Sequence, residues 1–133
     1  MIVKNPIISG HPIRRIALLT CLGVVACTTG PEISYQRDVR PILVSRCIDC
    51  HSRPDGEGYQ KTGLDLETYE SLMRGSLYGP VVVPGKSRRS PLNMLVEGRA
   101  GDLSRILKKQ HDPMTNHEIE ILRLWVDQGA RNN

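Results

Sequence analysis

The chain has 133 residues, with 18 Lys and Arg against 14 Asp and Glu, four Cys, one Trp, four Tyr and no Phe. Three of the basic residues, Lys4, Arg14 and Arg15, precede residue 27 and no acid does, so residues 27–133 are nearly neutral at 15 against 14. That balance, with no Arg/Lys run interleaved with aromatics, argues for no nucleic acid as a partner, and the absence of repeats or low-complexity stretches argues for one small domain.

Lys4, Arg14 and Arg15 lead into an apolar run from Ile16 to Ala26. A basic stretch followed by an apolar run too short to span a bilayer is the pattern of an export signal. Val24-Val25-Ala26-Cys27 resembles the bacterial lipobox, which implies cleavage before Cys27 and a diacylglyceryl group on its sulfur. Val24 and Ala26 also suit ordinary cleavage after Ala26. Thr28 and Thr29 come next without an aspartate, and under that resemblance the protein is exported and lipid-anchored, facing the periplasm from the outer membrane. Its acyl chains would hold it there at about 0.8 kcal/mol per buried methylene. The expected organisation is a signal at 1–26, a lipidated linker at 27–34 and a domain at 35–133.

The first predicted helix runs from about Asp38 to Cys50. Asp38 is the expected cap, Pro41 is tolerated in the first turn, and Val39, Ile42 and Leu43 form an apolar stripe. It delivers Cys47-Ile48-Asp49-Cys50-His51. The i, i+3 spacing puts both sulfurs on one side, where they can form thioethers to the two vinyl groups of one covalent haem c, and His51 can reach the iron as proximal ligand. A zinc site could also use Cys47 and Cys50, but a ligand directly after the second Cys is awkward, and only His111 and His117 are on offer to close the tetrahedron. A thioredoxin-like dithiol wants a βαβ context, which this segment lacks. With Cys21 leaving in the signal and Cys27 taking lipid, no thiol remains for a disulfide. A buried macrocycle would also supply apolar mass to a chain poor in aromatics.

Ser52 to Gly63 reads as a polar, Gly-rich loop. Asp65 is then expected to cap a helix from Leu66 to Arg74, with Leu66, Tyr69, Leu72 and Met73 on one face and Gly75 as the stop. Gly79-Pro80-Val81-Val82-Val83-Pro84-Gly85 reads as an extended connection, because prolines bracket a β-branched run. Ser90-Pro91 opens a short helix ended by Gly98, with Leu92, Leu95 and Val96 inward. Thr115-Asn116-His117-Glu118 is a capping box for a helix through Gln128, stopped by Gly129, with Ile119, Leu122, Trp125 and Val126 as its buried stripe and His117 on its polar face. This last helix should pack across the first. The expected fold class is all-α, about four short helices with Gly/Pro-rich loops.

Tyr35-x-x-Asp38-Val39-Arg40-Pro41-Ile42-Leu43, the Cys47 to His51 motif, Gly63-Leu64-Asp65-Leu66-x-x-Tyr69, the Gly79 to Gly85 run and the Glu118 to Ala130 segment resemble the planctomycete-type cytochrome c domain. The resemblance implies a small helical haem domain, electron transfer, thioethers at Cys47 and Cys50, and His51 on the iron. Family members usually carry a Met-Pro pair before the last helix, but that place holds Leu107-Lys108 here. Met114 is the foremost candidate for the distal ligand. It could instead form a hydrophobic staple with Ile119. His111 is the alternative in the same loop, and Met73, Met94, Lys108, Lys109 or an open iron remain. Met/His ligation raises the reduction potential, bis-His lowers it, and an open position admits small ligands.

The function implied is a membrane-tethered monohaem carrier that exchanges single electrons with periplasmic or membrane redox proteins. No general base, nucleophile or oxyanion-type constellation accompanies the motif, so an independent enzyme is not expected. The alternatives are a haem-bearing subunit of a larger oxidase or dehydrogenase, or a ligand-binding sensor if the distal position is open. Arg88, Arg89, Lys108 and Lys109 could rim a docking face or be ordinary solvated charges.

Overall fold

Ser34 opens the helical part of the chain: its hydroxyl accepts the Arg37 N–H, and the backbone winds through a π-helical turn, Tyr35–Val39, directly into helix α1, Arg40–Arg46. The computed structural model describes residues 30–105 and 112–133. The expected export signal, Cys27, Leu107, Lys108, Lys109 and His111 lie outside the described residues. The winding starts before Asp38, so the expected cap is corrected. Asp38 reaches back to accept the Ser34 N–H at 2.8 Å and so supports the Ser34 cap. Helix α1 also stops before Cys50, because Cys47 leaves helical backbone space at φ −133°.

The segment expected to be a loop, Ser52 to Gly63, contains helix α2, Glu57–Thr62. Lys61 and Glu57 pair one turn apart at 2.5 Å, and Gly63 ends the helix at φ 67°, a left-handed conformation that glycine adopts without strain. Helix α3, Tyr69–Arg74, is shorter than expected. Asp65 accepts the Glu67 N–H at 3.0 Å and pairs with Arg53 at 3.0 Å, which holds the chain in a turn there. Thr68 takes over as cap, in a reciprocal box with Ser71.

The 81–83 run is non-helical, as its bracketing prolines imply, and leads through a 3-10 turn, Ser87–Arg89, into α4, Pro91–Val96. Ser90 precedes α4 as expected, but its hydroxyl makes no cap bond. It accepts the Val83 N–H at 2.9 Å and donates to the Lys86 carbonyl at 3.1 Å, tying down the preceding loop. Leu92 and Val96 are buried, whereas Leu95 is only half-buried and Asn93 takes a fully buried place. Residues 102–105 are helical. Helix α5, Asn116–Asp127, begins at the Thr115/Glu118 capping box, and no strand occurs among the described residues. The architecture is all-α.

The core forms where α5 packs against the π-turn that leads into α1. Leu122, Trp125 and Val126 meet Tyr35, Val39 and Leu43 in one buried cluster that also takes in Leu66, Leu72 and Val82. Each such side chain contributes about 1.5–3 kcal/mol by leaving water. Tyr35, Tyr69 and Trp125 stack as a trio with ring centroids 5.2, 5.6 and 6.5 Å apart. The chain ends close over this cluster: Ile33 N–H donates to Gln128 Oε1 at 2.9 Å and Tyr35 N–H to Asn133 Oδ1 at 3.1 Å. No described helix is long and apolar enough to cross a membrane.

Candidate functional site

The last turn of α1 continues as tight turns through the two thiols. Cys47 N–H bonds the Leu43 carbonyl at 2.9 Å, Cys50 N–H the Cys47 carbonyl at 3.3 Å, and His51 N–H the Cys47 and Ile48 carbonyls at 3.0 Å each. This winding keeps the two cysteines one coil apart, both half-buried and both free thiols. Burial, with Cys50 nearby, pushes the Cys47 thiol up to about 11 against the opposing pull of Arg46. It is therefore uncharged at neutral pH, the opposite of what thiolate exchange requires. Among the described residues, no three His, Cys, Asp or Glu side chains gather as a metal-holding set.

The His51 ring is oriented from two sides. Its Nδ1 lies 3.2 Å from the Leu64 carbonyl oxygen, and burial lowers its pKa, so the ring is neutral at neutral pH. A carbonyl can only accept; Nδ1 therefore carries the hydrogen and Nε2 keeps its lone pair. Helix α2 makes this possible. Tyr59 N–H bonds the Cys50 carbonyl at 3.0 Å, the turn at Gly63 returns the chain, and Leu66 N–H closes on the His51 carbonyl at 2.8 Å.

Arg46, immediately before Cys47, grips Glu118 with Nε–Oε1 at 3.0 Å and NH2–Oε2 at 3.2 Å. Glu118 Oε2 also accepts the Thr115 N–H at 2.7 Å. One carboxylate thus joins the end of α1 to the start of α5, where Met114 is the residue before Thr115. Met114 and Ile119 both pack half-buried against the core, as a hydrophobic staple would. His117 is exposed, as its polar-face position implies.

The Arg46 hydrogen bond and the Thr115 N–H hold the Glu118 carboxyl below its ordinary range. A depressed carboxyl stabilises the fold above its unfolded pKa, and that contribution is lost as pH falls through the folded value. Glu118→Ala is expected to cost about 1 kcal/mol at pH 7, the magnitude of a lost cap. Urea midpoints of variant and parent should converge as pH falls through that folded value and the parent's carboxylate is protonated too. A pH-independent difference would show that the charge is irrelevant.

The sequence-predicted Cys47, Cys50 and His51 lie in one turn, and Met114 packs half-buried against the same core as Cys47. Three participants were not foreseen: the Leu64 carbonyl, Arg46 in its pairing role, and Glu118 beyond its cap. The Glu57/Lys61 pair and the Gly63 stop were the signals from which α2, and with it the first of these, could have been read.

A small helical domain that presents two free cysteines and a neutral, oriented imidazole from one coil has the residues that a haem c domain requires. The model of the family described as Planctomycete cytochrome C matches residues 47–104, and the chain carries a planctomycete-type cytochrome c domain. The match begins at Cys47 and stops short of α5. Comparison with curated proteins and with solved structures gave no match. The domain is that of a haem-binding cytochrome, and such a domain implies haem c. The residues fit that group, since Nε2 of His51 has its lone pair free while Nδ1 is engaged, and both cysteines are unpaired.

Proposed function

We propose that the protein is a monohaem c-type cytochrome that carries single electrons, with haem attached through Cys47 and Cys50 and with His51 as proximal iron ligand. The observation that carries this reading is the Nδ1 contact of His51 with the Leu64 carbonyl at 3.2 Å. When bound, the haem supplies a one-electron Fe(II)/Fe(III) couple. The chain supplies orientation: the Leu64 carbonyl fixes tautomer and ring direction and raises the basicity of Nε2. Met114 is the proposed sixth ligand, with His111 as the alternative. Support for Met114 comes from the Arg46–Glu118–Thr115 connection, which ties its backbone to the residue preceding Cys47. We further propose export, lipidation at Cys27 and periplasm-facing attachment to a membrane, with periplasmic or membrane redox proteins as electron donor and acceptor.

The test is maturation of the full chain with a bacterial haem-attachment system. The expected product keeps its colour through acid-acetone extraction and gives a six-coordinate, low-spin spectrum. Colourless or extractable material overturns the reading. In the same preparation Met114→Ala should abolish the long-wavelength sulfur-to-iron band and His111→Ala should leave it intact. Survival of the band in Met114→Ala removes Met114 from the iron. Radiolabelled palmitate should enter the parent and not Cys27→Ser.

A further inference from the structure

Helix α2 contains a glycine that its own backbone does not ask for. Gly58 lies in the first turn of Glu57–Thr62 and is not among the residues with positive φ. Alanine is the better helix former at such a position. What glycine provides there is space. A Cβ built on Gly58 would stand 2.6 Å from His51 Cε1, 2.8 Å from His51 Nε2 and 2.9 Å from the Cys50 carbonyl oxygen, all closer than real Cβ atoms approach. The neighbouring Gly56 is equally constrained, with a Cβ meeting the Cys50 and Ser52 carbonyl oxygens at 2.6 Å each. Two glycines therefore let the start of α2 lie directly on the backbone of residues 50–52.

We propose that Gly58 is a positioning residue for the proximal imidazole. The His51 ring is confined between two points of one short segment: Leu64 O holds Nδ1, and the bare Cα of Gly58 abuts the Cε1–Nε2 edge. The first contact sets the tautomer and the second limits where the edge bearing Nε2 can sit. A methyl group at residue 58 must drive that edge back by roughly half an ångström or more to reach ordinary contact distance. The ring cannot retreat freely, because its own backbone is tied by Cys47, Ile48 and Leu66. The displacement therefore falls on the direction of Nε2, the atom that would meet the iron. This inference rests on the proposed proximal role of His51 and adds the residue that governs its placement.

The test uses Gly58→Ala in the matured full chain. The expected variant retains pigment after acid-acetone extraction, but its His51 ring-proton resonances and its reduction potential both shift from those of the parent. Parent-like resonances with a parent-like potential overturn the proposal. Should the variant not fold, the parent chain still decides: a nuclear Overhauser contact between the Gly58 α-protons and His51 Hε1 is expected, in haem-loaded and haem-free protein alike. Its absence from both overturns the proposal. Pigment retention by the parent is scored separately, so failure of haem attachment and failure of the Gly58 contact are told apart.

Discussion

Replacing Cys47 and Cys50 together by serine is expected to yield protein from which acid-acetone extracts all haem, while the parent retains it. Serine is the closest substitute in size and its hydroxyl forms no thioether, so the change removes the bond-forming atom and little else. Each cysteine is half-buried, and Cys47 packs against the core, so a serine hydroxyl there carries a burial cost of about 1–3 kcal/mol if it finds no partner. Circular dichroism must therefore show the helices intact before pigment is compared. The single variants separate the two sulfurs. Each should retain one thioether, and the pyridine haemochrome band should shift toward that of a haem with one free vinyl group. His51→Ala tests a different link, since it leaves both sulfurs and should keep the pigment while losing the axial nitrogen. Covalent pigment in the double serine variant would mean that the attachment lies elsewhere.

What could be read in the sequence was what lies close together along the chain. Cys47, Cys50 and His51 carry their chemistry within five consecutive residues, and the Thr115/Glu118 box is complete within four, so neither needed tertiary knowledge. Helix α2 was hidden because its composition is polar and Gly-rich. Its glycines, which argue against a helix locally, are there for contact with residues 50–52. Asp65 was a plausible cap by type, but its own turn with Glu67 and the pairing with Arg53 passed that role to Thr68. The Arg46–Glu118 grip joins residues 72 apart, and a backbone acceptor such as Leu64 O has no residue type to announce it.

The same distinction between local and distant partners makes Trp125 the side chain whose loss should cost the fold most. Its periodic place in α5 is visible in the sequence, but its partners come from the π-turn, α3 and the C-terminal tail. The ring is essentially fully buried, lies 5.6 Å from Tyr35 and 6.5 Å from Tyr69 between centroids, and donates Nε1–H to the Arg131 carbonyl at 2.9 Å. Tyr69 donates its hydroxyl to the Ala130 carbonyl at 2.8 Å, so two aromatic residues pin the same stretch of tail. That tail in turn holds the N-terminal entry, through Asn133 to Tyr35 and Gln36. Trp125→Ala should lower stability by about 3–5 kcal/mol, the usual cost of deleting a buried aromatic ring, a large part of the roughly 5–15 kcal/mol typical of a small domain. Trp125→Phe keeps a ring and loses the Nε1 donor, so about 1–3 kcal/mol is expected, from the unpaired Arg131 carbonyl and the smaller volume. Urea unfolding followed by far-ultraviolet circular dichroism measures both. The chain has no Phe and no second Trp to take up the space, so relaxation cannot hide the loss. A Trp125→Ala midpoint within about 1 kcal/mol of the parent would show that the aromatic trio does not hold the N- and C-terminal segments together.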